Sequence, residues 1–244
     1  MNLASLKEGG PDGSLIVVNR ALSQAASAAL YAPTMRAALD DWAAVAAGLK
    51  VLAEELEAGQ AAGAFALDFA KLTAPLPRAA QFLDASGYLN HVELARRARG
   101  DSLPDTLETD PLMYQGVSEP MGGPCDAIYA ADESWGIDFE AESAVITGAV
   151  AMGASAEEAA KSIRLIMLVN DVSARRLVPA ELEKGFGFIH GKPPSAFSAV
   201  AVTPDELGAA WDGKRLHGRL VSTLNGNLIG DPDCGVEMQF SYPE

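Results

Sequence analysis

The chain has 244 residues, enough for one large domain or two unequal ones, and its 49% apolar content fills a core and excludes general disorder. Thirty-three acidic side chains against 18 basic ones give a formal charge of −15, a field that repels nucleic acid and anionic lipid. The one basic cluster, Arg96, Arg97 and Arg99, has Glu93 beside it and reads as a solvated helix face, so no nucleic-acid or membrane partner is expected. Cys125 and Cys234 lie far apart without a CxxC pattern, which suggests neither zinc site nor disulfide framework and fits a reducing cytoplasm. No signal-peptide core is present, and no uncharged apolar run approaches the roughly 18 residues of a membrane span.

In chain order, Leu3 to Asn19 predicts two short strands around Gly9-Gly10-Pro11-Asp12-Gly13, the second being Leu15-Ile16-Val17-Val18. From Pro33 to about Leu56, the residues Leu39, Trp42, Ala43, Ala46, Leu49 and Leu52 recur at helical spacing, with Asp40, Asp41 and Lys50 between them. One amphipathic helix or two is expected there, its stripe facing the core. Pro75 and Pro77 mark an extended connector, which places a domain boundary at Leu76. The expected fold class is α+β and rich in strands. A small α/β domain would span residues 1–76 and a larger β-rich domain residues 77–244, with long loops over Val117–Asp126 and Gly185–Pro194.

In Asp84-Ala85-Ser86-Gly87-Tyr88-Leu89-Asn90-His91, Asn90 and Glu93 form a capping pattern that puts His91 in the first turn of a helix. The helix dipole disfavours an imidazolium there, which suits a general base; an ordinary surface or core histidine is the other reading. Trp135 to Glu142 alternates strictly, with Ile137, Phe139 and Ala141 on one face and Asp138, Glu140 and Glu142 on the other. Two carboxylates ~7 Å apart repel by about 2 kcal/mol at an effective dielectric near 20, so this strand either exposes its acidic face or holds a hard cation.

Ser155 and Glu158 form a capping box opening a helix to about Ile163, followed by a buried strand, Leu165 to Val169, ending at Asn170-Asp171. Asp171, with Arg175 four residues on, is either a metal ligand beside a substrate-binding cation or a turn cap with its ion-pair partner. Lys192 sits among Gly185, Gly187, Gly191, Pro193 and Pro194, a composition that predicts a mobile loop. Thr203-Pro204-Asp205-Glu206 predicts a capped helix carrying Leu207 and Trp211.

The ordered set of Ala32-Pro33-Thr34, Asp84, Asn90-His91-Val92-Glu93-Leu94, Gly136-Ile137-Asp138-Phe139-Glu140-Ala141-Glu142, Leu168-Val169-Asn170-Asp171-Val172-Ser173 and Gly191-Lys192 resembles the fumarylacetoacetate hydrolase family, above all its bacterial fumarylacetoacetases. The resemblance implies a small N-terminal domain, a β-roll housing the active site, and a homodimer. It also implies a divalent cation, Mg²⁺ or Ca²⁺ with Mn²⁺ as an alternative, held by Asp84, Glu140, Glu142 and Asp171. His91 would activate water, Lys192 and Arg175 would meet the charge that develops as a C–C bond breaks, and Tyr114 would contact substrate. Arg99, beside Gly100, matches a substrate-binding arginine with a spacing from His91 one residue short.

The implied reaction is hydrolysis of a β-diketo acid, 4-fumarylacetoacetate to fumarate and acetoacetate in tyrosine and phenylalanine catabolism. Acylpyruvate hydrolase, oxaloacetate decarboxylase and enol–keto isomerase are the alternatives. Val178 stands where the eukaryotic pattern has a glutamine. The resemblance breaks off at Phe240-Ser241-Tyr242-Pro243-Glu244, where family chains usually continue through a helix, a glycine-rich segment and a carboxylate that orients the histidine. The chain is therefore expected to lack that part. Val200, Val202 and Val221, inward by alternation, would lose some cover, and a non-catalytic fragment or partner subunit becomes a further reading.

Overall fold

The computed structural model describes residues 1–117 and 120–244; Ser118 and Glu119, within the expected Val117–Asp126 loop, lie outside the described residues. The N-terminal third comprises β1 (Asn2–Leu6), β2 (Ser14–Val18), β3 (Gln24–Ser27), α1 (Met35–Asp40), α2 (Trp42–Glu57) and β4 (Phe65–Ala66). There follow β5 (Leu83–Ala85), α3 (Leu89–Arg99), β6 (Met113–Gln115), β7 (Ile137–Asp138), β8 (Ala141–Thr147) and α4 (Ala156–Ala160). The remainder holds β9 (Ile163–Asn170), β10 (Ser173–Ala174), α5 (Val178–Lys184), β11 (Ala196–Phe197), β12 (Ala201–Val202), β13 (Ser222–Leu224) and β14 (Asn227–Gly230).

One eight-stranded antiparallel sheet organises the chain. β1 pairs with β2 on one side and β12 on the other, and β2, β3 and β4 extend it outward. β8 runs along one edge of β9 over its whole length, while β11 and β12 share the other edge. The sheet thus crosses the boundary expected at Leu76, because β12 hydrogen-bonds β1.

The run Leu15-Ile16-Val17-Val18 lacks alternation because β2 is covered on both faces, each residue being at most 2% exposed. Leu15 and Val17 pack with Met35, Ala38, Leu49, Leu52 and Leu56 of the two helices, and Ile16 and Val18 pack with Ala4, Ala25 and Leu72. Asp41 separates the expected amphipathic stretch into α1 and α2, and Thr34 caps α1 by accepting from the Ala37 N–H at 3.1 Å.

Several expectations are corrected. α3 begins at Leu89 with Tyr88 as its N-cap, so Asn90 lies inside the helix and does not cap it. Tyr88 is fixed from far along the chain, by a bridge to Met238 and by its hydroxyl donating to the Cys234 carbonyl at 2.9 Å. The Ser155–Glu158 capping box forms as expected, but α4 ends at Ala160 and β9 already starts at Ile163. Thr203 makes no side-chain cap; its hydroxyl accepts from the Met1 amino group at 2.7 Å, Glu206 takes the same group at 2.8 Å, and the residues after Thr203 form a 3-10 helix. Val200 and Val202 are half-buried, whereas Val221 is exposed, as are Leu224, Leu228 and Ile229 of the β13–β14 hairpin.

Leu49 is fully buried between α2 and the sheet, and Leu94 of α3 is exposed. Leu49→Ala should lower the unfolding free energy in urea by about 2–5 kcal/mol, and Leu94→Ala should stay within about 0.5 kcal/mol of the parent.

Candidate metal and active site

The acidic site is built where two pairs of antiparallel strands end. The expected single strand from Trp135 to Glu142 is two, β7 and β8, with Phe139 and Glu140 between them. β9 and β10 break opposite this point, and the pairing keeps one register on both sides: Ala141 faces Asn170 and Asp138 faces Ser173. The Asp171 N–H donates to the Glu140 carbonyl at 3.0 Å across the gap. Glu140, Glu142, Asp171 and Ser173 therefore project on one side, as alternation requires. Ile137 and Phe139, on the opposite side, are exposed, so the apolar face expected there is no part of the core.

Asp84 arrives from a separate hairpin, in which β5 pairs Asp84 directly with Tyr114 of β6. One carboxylate oxygen each from Asp84, Glu142 and Asp171 falls within 4.8 Å of the others. Asp171 is 2% exposed and fully engaged: its Oδ2 accepts from the Lys192 ammonium at 2.5 Å and the Tyr114 hydroxyl at 2.7 Å, and its Oδ1 from the Ser195 hydroxyl at 2.5 Å. Glu140 lies outside that triad. Its Oε1 accepts from Lys192 at 2.7 Å, from Arg175 at 3.1 Å and from the Ser173 hydroxyl. Arg175 is held in turn by Asp138, 2.8 Å from its Nε.

Burial, and then the charges of Asp84, Asp171 and Glu140, push the Glu142 carboxyl up to about 9. Burial likewise raises Asp84 above its ordinary value, with the neighbouring Tyr114 hydroxyl acting in the opposite direction. Tyr114 itself is driven upward by burial and by Asp84 and Asp171, so its hydroxyl stays protonated and donates. Protein groups do not fully compensate the negative charge of this cluster. All three converging donors are hard oxygens, without sulfur or imidazole among them, and that set suits a hard divalent cation.

Lys192 is 7% exposed, in contrast to the mobile, solvated placement that its glycines and prolines suggest. Its ammonium lies 5.6 Å from the Tyr114 ring centre, and Phe188 packs edge-on against the same ring at 4.9 Å. His91 stands exposed in the first turn of α3, and Arg99 at the other end of that helix pairs with Asp101 at 2.9 Å. The sequence thus placed six residues that the structure brings together: Asp84, Tyr114, Glu140, Glu142, Asp171 and Lys192, with Arg175 joined through Glu140. Ser173 enters the sequence reading only as a motif residue without a role, and Ser195 and Phe188 do not enter it. Ser173 was legible in principle, because it shares a strand face with Asp171.

Residues 1–78 match the model described as fumarylacetoacetase N-terminal domain 2, and residues 81–244 match that of the fumarylacetoacetate hydrolase C-terminal domain. A 2,4-didehydro-3-deoxy-L-rhamnonate hydrolase from Sphingomonas sp. (strain SKA58) is 31% identical over 109 residues, a match that spans 43% of this chain and 37% of that protein. Among solved structures, maleylpyruvate hydrolase from Sphingobium sp. SYK-6 superposes with a TM-score of 0.65 at 15% identity, covering 100% of this chain and 80% of its own. A second structure of that enzyme, in complex with manganese(II) and pyruvate, superposes equally well, with a TM-score of 0.65. A fumarylacetoacetate hydrolase from psychrophilic Exiguobacterium antarcticum gives a TM-score of 0.61 at 20% identity, covering 100% of this chain and 78% of its own. By the two domain matches, which together take in nearly the whole sequence, this chain belongs to the fumarylacetoacetate hydrolase family.

Proposed function

We propose that the protein is a divalent-metal-dependent hydrolase that cleaves a C–C bond in a β-diketo acid, with 4-fumarylacetoacetate as the leading substrate. The observation that carries this reading is the convergence of Asp84, Glu142 and Asp171 beside the cationic groups of Lys192 and Arg175. A cation bound there, Mg²⁺, Mn²⁺ or Ca²⁺, would supply Lewis-acid polarisation of a substrate carbonyl. The chain's own residues do the rest. Tyr114 and Ser195 fix the orientation of Asp171, and Ser173 fixes Glu140. Lys192, buried against two carboxylates, is placed to meet the enolate charge left when the C–C bond breaks. Arg175, half-exposed at the rim, suits a substrate carboxylate. His91 takes the proton of the attacking water, a role that rests on its match to the family motif. Arg99 is carried as a substrate contact on the same ground.

Val178, buried where the eukaryotic pattern has glutamine, removes one polar contact, and this keeps acylpyruvates, oxaloacetate and enol–keto tautomers in view as substrates. The homodimer belongs to the same proposal, as does a cytoplasmic setting. Among the described residues no helix is long and apolar enough to cross a membrane.

Product analysis on a panel of 2,4-diketo acids with Mg²⁺, Mn²⁺ or Ca²⁺ tests the activity; no C–C cleavage product from any member would overturn it. His91→Ala should lower kcat by roughly 10²- to 10⁴-fold while metal affinity by calorimetry stays nearly constant, and an alanine variant with parental turnover would remove His91 from the mechanism.

The acidic cluster makes its own prediction. The Glu142 carboxyl titrates near 4.5 when unfolded and near 9 in the metal-free fold, so between those values the folded state holds the extra proton and stability falls as pH rises. The melting temperature of EDTA-treated protein should drop across that window and recover at pH 8 on addition of Mn²⁺ or Ca²⁺. Glu142→Gln should flatten the drop and abolish the recovery. A melting temperature indifferent to both pH and the ions would show that the cluster is not a cation site.

A further inference from the structure

Lys192 is the most deeply buried cation of the site, yet the segment that brings it there has almost no apolar anchorage. After α5 the chain turns at Gly185 (φ +74°) and Gly187 (φ +99°), both in the left-handed region that favours glycine. Phe186 and Ile189 are 97% and 73% exposed, so hydrophobic burial does not hold this return. Phe188 alone turns inward, onto Tyr114.

The main hold on the return is one carboxylate. Glu181, in the first turn of α5, accepts three successive backbone N–H groups: Ile189 at 3.1 Å and Gly191 at 2.9 Å on Oε2, and His190 at 2.8 Å on Oε1. Burial works against the ionised form, but these three donors outweigh it and hold Glu181 below the ordinary glutamate range. The approach is close: a Cβ at 191 would lie 2.8 Å from Glu181 Oε2 and 3.1 Å from Val178 Cγ2, so a side chain there would push the carboxylate off its three donors. The Gly191 carbonyl then accepts from the Ala174 N–H at 2.8 Å, which ties the same residue to β10. Lys192 follows immediately, and its Nζ reaches Glu140 and Asp171.

We infer that Glu181 is a positioning residue: by fixing the backbone of residues 189–191 it delivers the Lys192 ammonium, and with it Phe188 against Tyr114, into the acidic site. The catalytic part of this inference rests on the proposed hydrolase reading; the positioning part does not. Glu181 touches neither the carboxylate triad nor any group assigned to substrate. It acts through Lys192.

The experiment is acylation of lysines with acetic anhydride, followed by peptide mass spectrometry, on the full chain. In the parent, Lys192 should be modified far more slowly than Lys50, whose side chain is 61% exposed. Glu181→Ala should raise the Lys192 rate by about tenfold or more through local opening of the return, with Lys50 unchanged. Glu181→Gln, which keeps one carbonyl acceptor, should fall between. If the parent cleaves a diketo acid, Glu181→Ala should lower kcat, and adding it to Lys192→Met should cause no further loss, since two residues acting as a unit are not additive.

Unchanged Lys192 labelling in a Glu181→Ala protein that melts like the parent overturns the inference, as does a fully additive loss of kcat. If the alanine variant fails to fold, the same two readouts on Glu181→Gln decide. A parent inactive on every diketo acid would defeat the hydrolase reading alone, leaving the labelling result to judge Glu181.

Discussion

The mutual repulsion of buried carboxylates is the constraint that the rest of the site answers. Oxygens of Asp84, Glu142 and Asp171 within 4.8 Å of one another repel by roughly 3 kcal/mol per ionised pair at an effective dielectric near 20. Such a cluster survives only if retained protons, cations or hydrogen-bond donors relieve the repulsion. Asp171, the most buried member, takes three donors, while Glu140 takes two cations and a hydroxyl. Among the described residues Glu142 has no hydrogen-bond donor of its own, and burial with the neighbouring carboxylates pushes it up to about 9. The charge left over is what a hard divalent ion would neutralise.

Rigid elements place these groups. Glu142 lies inside β8, and β8 pairs with β9 through a ladder running from Ala141–Asn170 to Thr147–Ile163. Behind the site, Val169, Phe197, Met121 and Ala74 form a small apolar cluster against which Ala144 and Met167 pack. β9 is in turn stitched through β12 to β1, so the N-terminal strands brace the sheet from whose end Glu142 and Asp171 project. The N-terminal segment contributes no carboxylate to the triad. Its contribution is to the stiffness of the support.

What was legible in the sequence were the local rules. Alternation from Asp138 to Glu142 correctly put the acids on one face, since a side-chain period of two survives the break at Phe139 and Glu140. The Ser155–Glu158 box forms because both its bonds lie within one turn, and among the described residues neither side chain has another hydrogen-bond partner. Where local rules failed, a distant group intervened. Thr203 and Glu206 have the residues of a cap, but an ammonium outbids backbone N–H groups for their oxygens. Asn90 could have capped α3, yet Tyr88 occupies the N-cap position, held there by its contacts with Cys234 and Met238. The pairing of Asp84 with Tyr114 and the arrival of Ser195 on Asp171 are long-range, and no periodicity announces them. Lys192 departs from the composition-based reading for another reason: Gly185 and Gly187 supply left-handed turns, while Gly191 packs closely on Glu181 and Val178, and that packing fixes the residue before Lys192.

The same charges bear on how an anionic substrate reaches the site at all. A chain of net charge −15 repels anions at long range, the proposed diketo acid among them, although at physiological ionic strength that field decays over roughly 8 Å. Within the site, Asp84, Asp138, Glu140, Glu142 and Asp171 outnumber Lys192 and Arg175, and both cations are already paired with carboxylates. An incoming substrate carboxylate or enolate finds no free positive charge among these groups. A divalent cation held by Asp84, Glu142 and Asp171 would offset the triad directly, and by sharing the Asp171 charge it would loosen the pairing with Lys192, whose ammonium could then meet a substrate oxygen. For the proposed reaction this charge balance would favour ion before substrate, and Lys192, held between Glu140 and Asp171, would be the group through which a bound ion reaches the substrate.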